Sequence, residues 1–539
     1  MADAFATKSF LVVDDFADMR SAIKGILISL GVTRIDQARN GSDAISKMQN
    51  KRFEVILCDY NLGPGKDGQQ VLEEARHRQL IGVDSIFIMI TAENAREMVM
   101  GAVEYAPDSY LSKPFTKDLL RTRLVKLFER KAHLTKVSEA LVAKDPSAAI
   151  RAIDTLIAAK PRNLGELLKL KSEICIDSNR LDEATATLEQ VLAIREMPWA
   201  RLGIGKIQFL KKHFDQAAET FRQLIEQDAN FIGAYDWLAK TQTAQRRFAE
   251  AEETLRTAVR LSPRGIGRQH TLGDIALNNG HPEIAEAAYE RAVGLAKHSV
   301  LNHPAIFAGL AKSKSANNKH DEALKVANEI HKVFPDREEA VFYAASTSAL
   351  IKTRQGDKAG GEAALAEAEE ALARLNETAH TAEHALEMAT TYAGLGREDK
   401  AAAILRQVIA NNHDDDATLT QIVHLCQESG LNYDAEAAIR EVQRDLVKTN
   451  NEGVRLIKQG EFEAAIRLLS QAADEMPGNK TINLNAAKAI IMYMERRGVT
   501  NDDLQAVRRY IDRVQTLAPD DWRLGDVTAR LRKITSQGD

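Results

Sequence analysis

The chain has 539 residues, of which 28% are charged and 44% hydrophobic, and its formal net charge is -5. That length is too great for a single core and suggests about three or four domains, or one long repeat array. The slightly acidic balance supplies no global positive field, which excludes nucleic acid and anionic membrane surfaces as expected partners.

Residues Met1 to Ser9 lack a basic stretch followed by an apolar one, so no secretory signal is expected. The longest apolar stretch, Ile86-Phe87-Ile88-Met89-Ile90, is far short of the roughly 20 residues that span a bilayer. The expectation is a cytoplasmic protein without membrane insertion. Cys58, Cys175 and Cys426 are odd in number and widely separated, which fits buried free thiols in a reducing compartment.

From Ser9 to about Arg130, short apolar runs at 10–13, 34–38, 53–58, 85–90 and 109–111 predict strands. Between and after them, stretches near 17–30, 41–50, 67–79, 93–105 and 116–130 carry helical spacing. Strand alternating with helix predicts an α/β doubly wound, five-stranded parallel sheet covered on both faces. Ligands of such sheets sit beyond the carboxyl ends of the strands. There the sequence places Asp14 and Asp15, then Asp59, Thr91 and Lys113.

Three carboxylates in one place repel each other, so either a divalent cation neutralises them or some are held protonated. Oxygen-only ligands suit Mg²⁺. Beside such a cation, Asp59 is a candidate covalent acceptor of a phosphoryl group, Lys113 a positive charge for the remaining oxygens and Thr91 a hydroxyl donor. Asp14-Asp15 and Thr91 would also serve as caps of the helices that follow them. Cys58 adjoins Asp59, but strand alternation points it into the opposite, helix-covered layer.

Phe10-Leu11-Val12-Val13-Asp14-Asp15-Phe16, Asp59, Asp67-Gly68, Thr91-Ala92 and Lys113-Pro114 together resemble a response-regulator receiver domain, a flavodoxin-like fold, and are similar to its single-domain chemotaxis kind. The resemblance spans residues 8–130 and implies a two-component regulator phosphorylated on Asp59 by a sensor histidine kinase. It further implies Asp14 and Asp15 as the Mg²⁺ pair, the Asn61 backbone carbonyl as another ligand, Thr91 as switch hydroxyl, Lys113 as phosphate contact and Tyr110 as switching aromatic. The Gly63-Pro64-Gly65 turn makes the loop after the acceptor one residue longer than the family's usual one.

Past Lys131 no strand is expected. Ala217/Phe221, Ala251/Leu255 and Ala285/Tyr289 recur every 34 residues, and Pro161, Pro263, Pro335 and Pro477 close further units. This helix-turn-helix period resembles the tetratricopeptide repeat. The expected organisation is a domain over 1–130, a helical linker or first repeat helix over 131–150, and an all-α superhelix over 151–539 with C-terminal capping helices. The stretch 340–385 departs from the period, and Gln355 to Gly361 suggests a longer inter-helix loop there. On successive inner helices, Lys206, Lys240 and Lys312 fall at one equivalent place, an expected row for an acidic segment of a protein partner, with solvated lysines as the plainer alternative.

The array shows no Gly-rich phosphate loop, nucleophile elbow or metal pair, so a non-enzymatic output through protein contact is expected. Its partner would be a protein or peptide, a companion signalling enzyme among the candidates; the alternative is a phosphate sink that drains a shared kinase.

Overall fold

A computed structural model of the chain describes residues 5–91, 106–131, 133–159, 161–375, 382–413, 415–429, 431, 433–518 and 521–535. The helix expected over 93–105 and Ala92 lie outside these residues. Five strands, β1 (Ser9–Val13), β2 (Arg34–Ala38), β3 (Val55–Asp59), β4 (Ile86–Thr91) and β5 (Ser109–Ser112), form one parallel sheet in the order β2-β1-β3-β4-β5.

These strands are apolar at consecutive positions because both faces are covered. Phe10, Val12, Val55, Leu57, Ile86 and Ile88 pack with the helices Ala17–Ser29 and Lys117–Lys131. Leu11, Val13, Ile56, Cys58, Phe87 and Met89 pack with Gly41–Asn50 and Gly68–His77. Parity along β3 thus buries Cys58 on the face opposite to Asp59; all three cysteines are buried free thiols. The chain leaves β1 for one side of the sheet and β3 for the other, which opens a crevice beyond their carboxyl ends.

After Lys131 the described elements are all helices, packed as successive antiparallel pairs such as Pro198–Leu210 with Phe214–Gln227 and Ile232–Ala244 with Phe248–Leu261. A residue with left-handed backbone turns the chain within each pair: Asn179, Lys212, Arg246, Gly280, Asn318 and Gly356 have φ from 55° to 86°. The segment Gln355–Gly361 is therefore no long loop. Glu338–Arg354 ends at Gln355 and Lys358–Arg374 begins behind the Asp357 cap. The period stretches because both of these helices run 17 residues, against 13 and 14 in Ile232–Ala244 and Phe248–Leu261.

The array grips the sheet domain at two places. Near the amino ends of the strands, Asn163 Nδ2 donates to the Arg130 carbonyl at 3.1 Å and Arg52 Nη2 donates to Ser138 Oγ at 2.8 Å, while buried Lys131 pairs with Asp108 at 2.6 Å within the sheet domain itself. Helix Lys117–Lys131 does not run on into the array; the next helix starts afresh at Thr135. On the far side, Gln70 Nε2 donates to the Leu295 carbonyl at 3.3 Å and Ser299 Oγ to Glu73 Oε2 at 2.6 Å. The superhelix also returns on itself: Phe248 stacks on His424 with ring centroids 4.0 Å apart, and Arg246 pairs with Glu436 at 2.6 Å. Among the described residues no helix is long and apolar enough to cross a membrane.

Small residues set how closely the paired helices approach. Ala217, Ala251 and Ala285 are wholly buried. A Cβ at Gly273 would lie 2.7 Å from the Tyr289 ring and one at Gly309 only 2.2 Å from it, so the ring is wedged between two glycines. Replacing Gly309→Ala should cost roughly 1–3 kcal/mol by overpacking. Gly294→Ala, with open space around its Cβ position, should be neutral or stabilising, since alanine favours helix by about 0.8–1 kcal/mol. Chemical unfolding midpoints of the two variants check the contrast.

Candidate functional site

β1 stops at Val13, and the backbone N–H of Asp14 still reaches the Ala38 carbonyl at 3.3 Å. Arg20, one turn into the next helix, fixes the turn by donating to the backbone oxygens of Asp14 at 2.8 Å and Asp15 at 3.1 Å. The carboxylate of Asp14 is fully buried and divided between two tasks. Its Oδ1 accepts the Phe16 N–H at 2.9 Å, while its Oδ2 accepts from Lys113 Nζ at 2.8 Å; the next helix has Phe16 at its N-cap position and no side-chain cap, so neither Asp14 nor Asp15 caps it.

The same Lys113 ammonium donates to Asp59 Oδ2 at 2.8 Å. One cation from the end of β5 thereby bridges carboxylates from the ends of β1 and β3. Oxygens of Asp14, Asp15 and Asp59 all lie within 4.8 Å of one another. Asp15 Oδ1 is buried with no hydrogen-bond partner. A buried, unpartnered carboxylate oxygen is costly, and a hard cation among three acids would supply what it lacks. The oxygen donors of Asp14, Asp15 and Asp59 fit a hard divalent cation such as Mg²⁺.

Burial pushes the Asp59 carboxyl up; Lys113 opposes this and the Asp14 charge adds to it, leaving the group above its ordinary value. Burial alone would lower Lys113, but its bonds to Asp14 and Asp59 outweigh that and hold the ammonium above its ordinary value. Lys113 therefore stays charged at neutral pH.

The loop from Tyr60 to Asp67 arches over the pocket. Tyr60 N–H donates to the Ile90 carbonyl and Gly68 N–H to the Tyr60 carbonyl, both at 2.8 Å. Asn61 Oδ1 accepts from Gly63 N–H at 3.3 Å. Gly63 has φ +70°, and a Cβ there would sit 3.2 Å from Asp15 Oδ2. At Gly68 a Cβ would be 2.2 Å from the Asp59 carbonyl, so the helix can start this close to the acceptor only with glycine. Asp67 and Gln70 form a capping box that fixes where that helix begins.

Thr91 ends β4, buried, one residue past Ile90, which pairs with Asp59. Tyr110 lies half-buried on β5 opposite Met89, in the layer that also holds Tyr60. Burial raises its phenol, with the neighbouring Tyr60 adding to the shift. Arg20 and Tyr60 were not singled out by the sequence; an arginine one turn past an acidic pair and an aromatic directly after the acceptor were the available signals.

The three array lysines meet different surroundings. Lys206 and Lys240 converge on Trp237, with ammonium-to-centroid distances of 5.2 and 4.8 Å, and Lys240 also lies 5.3 Å from the Phe209 ring. Lys312 is instead ion-paired with Glu387 of the helix Ala382–Gly394.

The response regulator receiver domain family matches residues 10–125, and tetratricopeptide repeats match 176–240, 232–264 and 268–299. The chemotaxis protein CheY of Pseudomonas aeruginosa is 33% identical over 120 residues, which cover 22% of this chain and 95% of that protein. Among solved structures, the response regulator TrrA of Thermotoga maritima in complex with Mg²⁺-BeF is 30% identical over 22% of this chain and 99% of that chain, with a TM-score of 0.20. The C-terminal part of a TPR repeat-containing protein of Cytophaga hutchinsonii is 16% identical over 45% of this chain and 96% of that chain, with a TM-score of 0.36.

Two outcomes follow from the pocket's charges. Mg²⁺ at a hundred times its dissociation constant should stabilise the chain by about 2.7 kcal/mol, and Asp15→Asn should largely abolish this gain in thermal unfolding with and without chelator. Because the folded value of Asp59 is raised, its contribution to stability is greatest below the ordinary carboxylate value and is lost as pH rises through the raised one. Metal-free Asp59→Asn should therefore unfold at a higher temperature than the parent at neutral pH, with the gap closing as pH falls below about 3.9.

Proposed function

Because the chain belongs to the response-regulator receiver family, we propose that Asp59 takes a phosphoryl group from a sensor histidine kinase and that this group changes what the repeat array binds. The observation that carries the reading is the Lys113 ammonium shared between Asp14 and Asp59, beside a third carboxylate whose buried oxygen has no partner.

In the transfer, an Asp59 carboxylate oxygen attacks the phosphorus of a phosphohistidine. The P–N bond breaks, and its electron pair leaves with the imidazole nitrogen. Mg²⁺ bound by Asp14, Asp15, Asp59 and the Asn61 carbonyl would neutralise charge on the transferring oxygens. Lys113 exchanges its bond to Asp59 for one to a phosphoryl oxygen, and the Thr91 hydroxyl donates to another. Little covalent chemistry is asked of the protein; placement of charge does the work.

The new dianion pulls Lys113 and Thr91 toward Asp59. Tyr110 on the Lys113 strand and Tyr60 beside the acceptor share one packed layer, so movement of that strand end reaches Tyr60, and from Tyr60 the loop that the array touches. The output is binding of a protein partner, a companion signalling enzyme being the kind in view, through the helical array. Lys206 and Lys240 on Trp237 present a cationic, aromatic face suited to an acidic segment; Lys312, neutralised by Glu387, adds little to it.

Hydrogen exchange on the full chain with Mg²⁺ and beryllofluoride, compared with Asp59→Asn under the same conditions, tests the coupling. Protection should change at Tyr60 to Asp67 and in residues 264–299 of the parent alone. Identical exchange in the array of both proteins would contradict the output half of the proposal.

A further inference from the structure

The loop that carries the expected metal ligand Asn61 is rich in glycine. It contains Gly63 and Gly65, both with positive φ, 70° and 109°. Glycine gives up more conformational freedom on ordering than other residues, so a cation that needs a ligand from this loop must be preceded or accompanied by its ordering.

A side chain of the repeat array reaches this loop. Arg264 lies in the turn between the helices Phe248–Leu261 and Ile266–Asn278. Its guanidinium donates to the phenol oxygen of Tyr60, lies 5.8 Å from that ring's centroid, and pairs with Asp67 Oδ2 at 3.7 Å. Tyr60 directly follows the acceptor, and Asp67 caps the next helix. One planar fork thus holds both ends of the loop. Lys66 is held as well, by the His298 carbonyl of the array and by Glu74 at 2.9 Å.

We propose that Arg264 is a positioning residue supplied by the array: it braces the loop over residues 60–67 and so sets how tightly the acidic pocket holds a divalent cation. The inference rests on the assignment of Asp14, Asp15, Asp59 and Asn61 as ligands, and it adds the array to the site. A guanidinium suits the task because its rigid fork reaches a phenol and a carboxylate at once, which a single ammonium does less well. Arg264 is 43% exposed and Asp67 28% exposed, so solvent screens the brace and its effect is modest. Linkage makes the effect mutual: whatever factor the brace adds to cation affinity, the cation adds to the array's grip on the loop.

Calorimetric titration of Mg²⁺ into the full chain tests this without any phosphoryl transfer. Arg264→Ala should raise the dissociation constant about three- to fivefold, with the metal-free thermal midpoint unchanged, and Arg264→Lys should recover part of the loss. Ser299→Ala, which cuts the bond to Glu73 at the same interface but off the loop, should bind as the parent does. Tyr60→Phe removes one end of the brace and serves if Arg264→Ala fails to fold. Parent-like affinity in Arg264→Ala or in that substitute, or an equal loss in Ser299→Ala, overturns the proposal. Normal phosphorylation of Asp59 alongside unchanged Mg²⁺ affinity in the arginine variant removes the brace and leaves the function standing. An arginine-dependent Mg²⁺ affinity in a chain that never accepts phosphate does the reverse.

Discussion

Three carboxylates at the ends of adjacent strands repel one another, and the receiver half of this chain is arranged around that repulsion. Lys113 answers part of it by bonding to Asp14 and Asp59 together at 2.8 Å, yet Asp15 keeps a buried oxygen without a partner. The pocket is thus left short of positive charge. A site in that condition favours a cation, and under the proposed function it would give Lys113 an alternative partner in the phosphoryl group. Burial and the Asp14 charge hold the Asp59 carboxyl above its ordinary value, so its ionised form is disfavoured until a further cation arrives.

Topology places those charges. The chain departs from β1 and β3 to opposite sides, so their carboxyl ends border an open crevice, and β5 brings Lys113 in from the edge. Close approach does the rest: Gly68 lets a helix start against the acceptor's own carbonyl, and Gly63 lets the loop pass over Asp15. The array obeys the same steric logic, with Tyr289 wedged between Gly273 and Gly309. It differs in being held to the receiver at both ends of the sheet, by Ser138 and Asn163 near the amino ends of the strands and by residues 264–299 beside the acceptor loop. The proposed coupling would therefore run through this second contact and not along the final receiver helix.

Much of this was legible in the sequence where the signal is local. Strand ends, helix spacing and the recurring buried alanines are set within a few residues of themselves, so the sheet, its two layers and the repeats could be read directly, as could the acidic cluster at the carboxyl ends. Contacts between residues far apart were not legible. Arg264 and Tyr60 are ordinary surface types, and nothing near either one announces the other. Lys312 matched Lys206 and Lys240 in spacing, but its fate is decided by Glu387, on another helix pair. Gln355 to Gly361 read as a loop for its glycines, whereas Gly356 is the single left-handed link of a short turn, and the added length sits in two alanine-rich helices. Composition shows that a helix breaks; it does not show how few residues the break takes.

The central claim is that the acidic pocket performs phosphoryl chemistry on one carboxylate. Incubating the intact chain with Mg²⁺ and a small-molecule phosphodonor, then locating the adduct by mass spectrometry, tests it most directly. A single phosphoryl group on Asp59, absent when Mg²⁺ is chelated and absent in Asp59→Asn, is the predicted result. An intact, folded chain that remains unmodified, or that carries the group elsewhere while Asp59 stays free, would contradict the account.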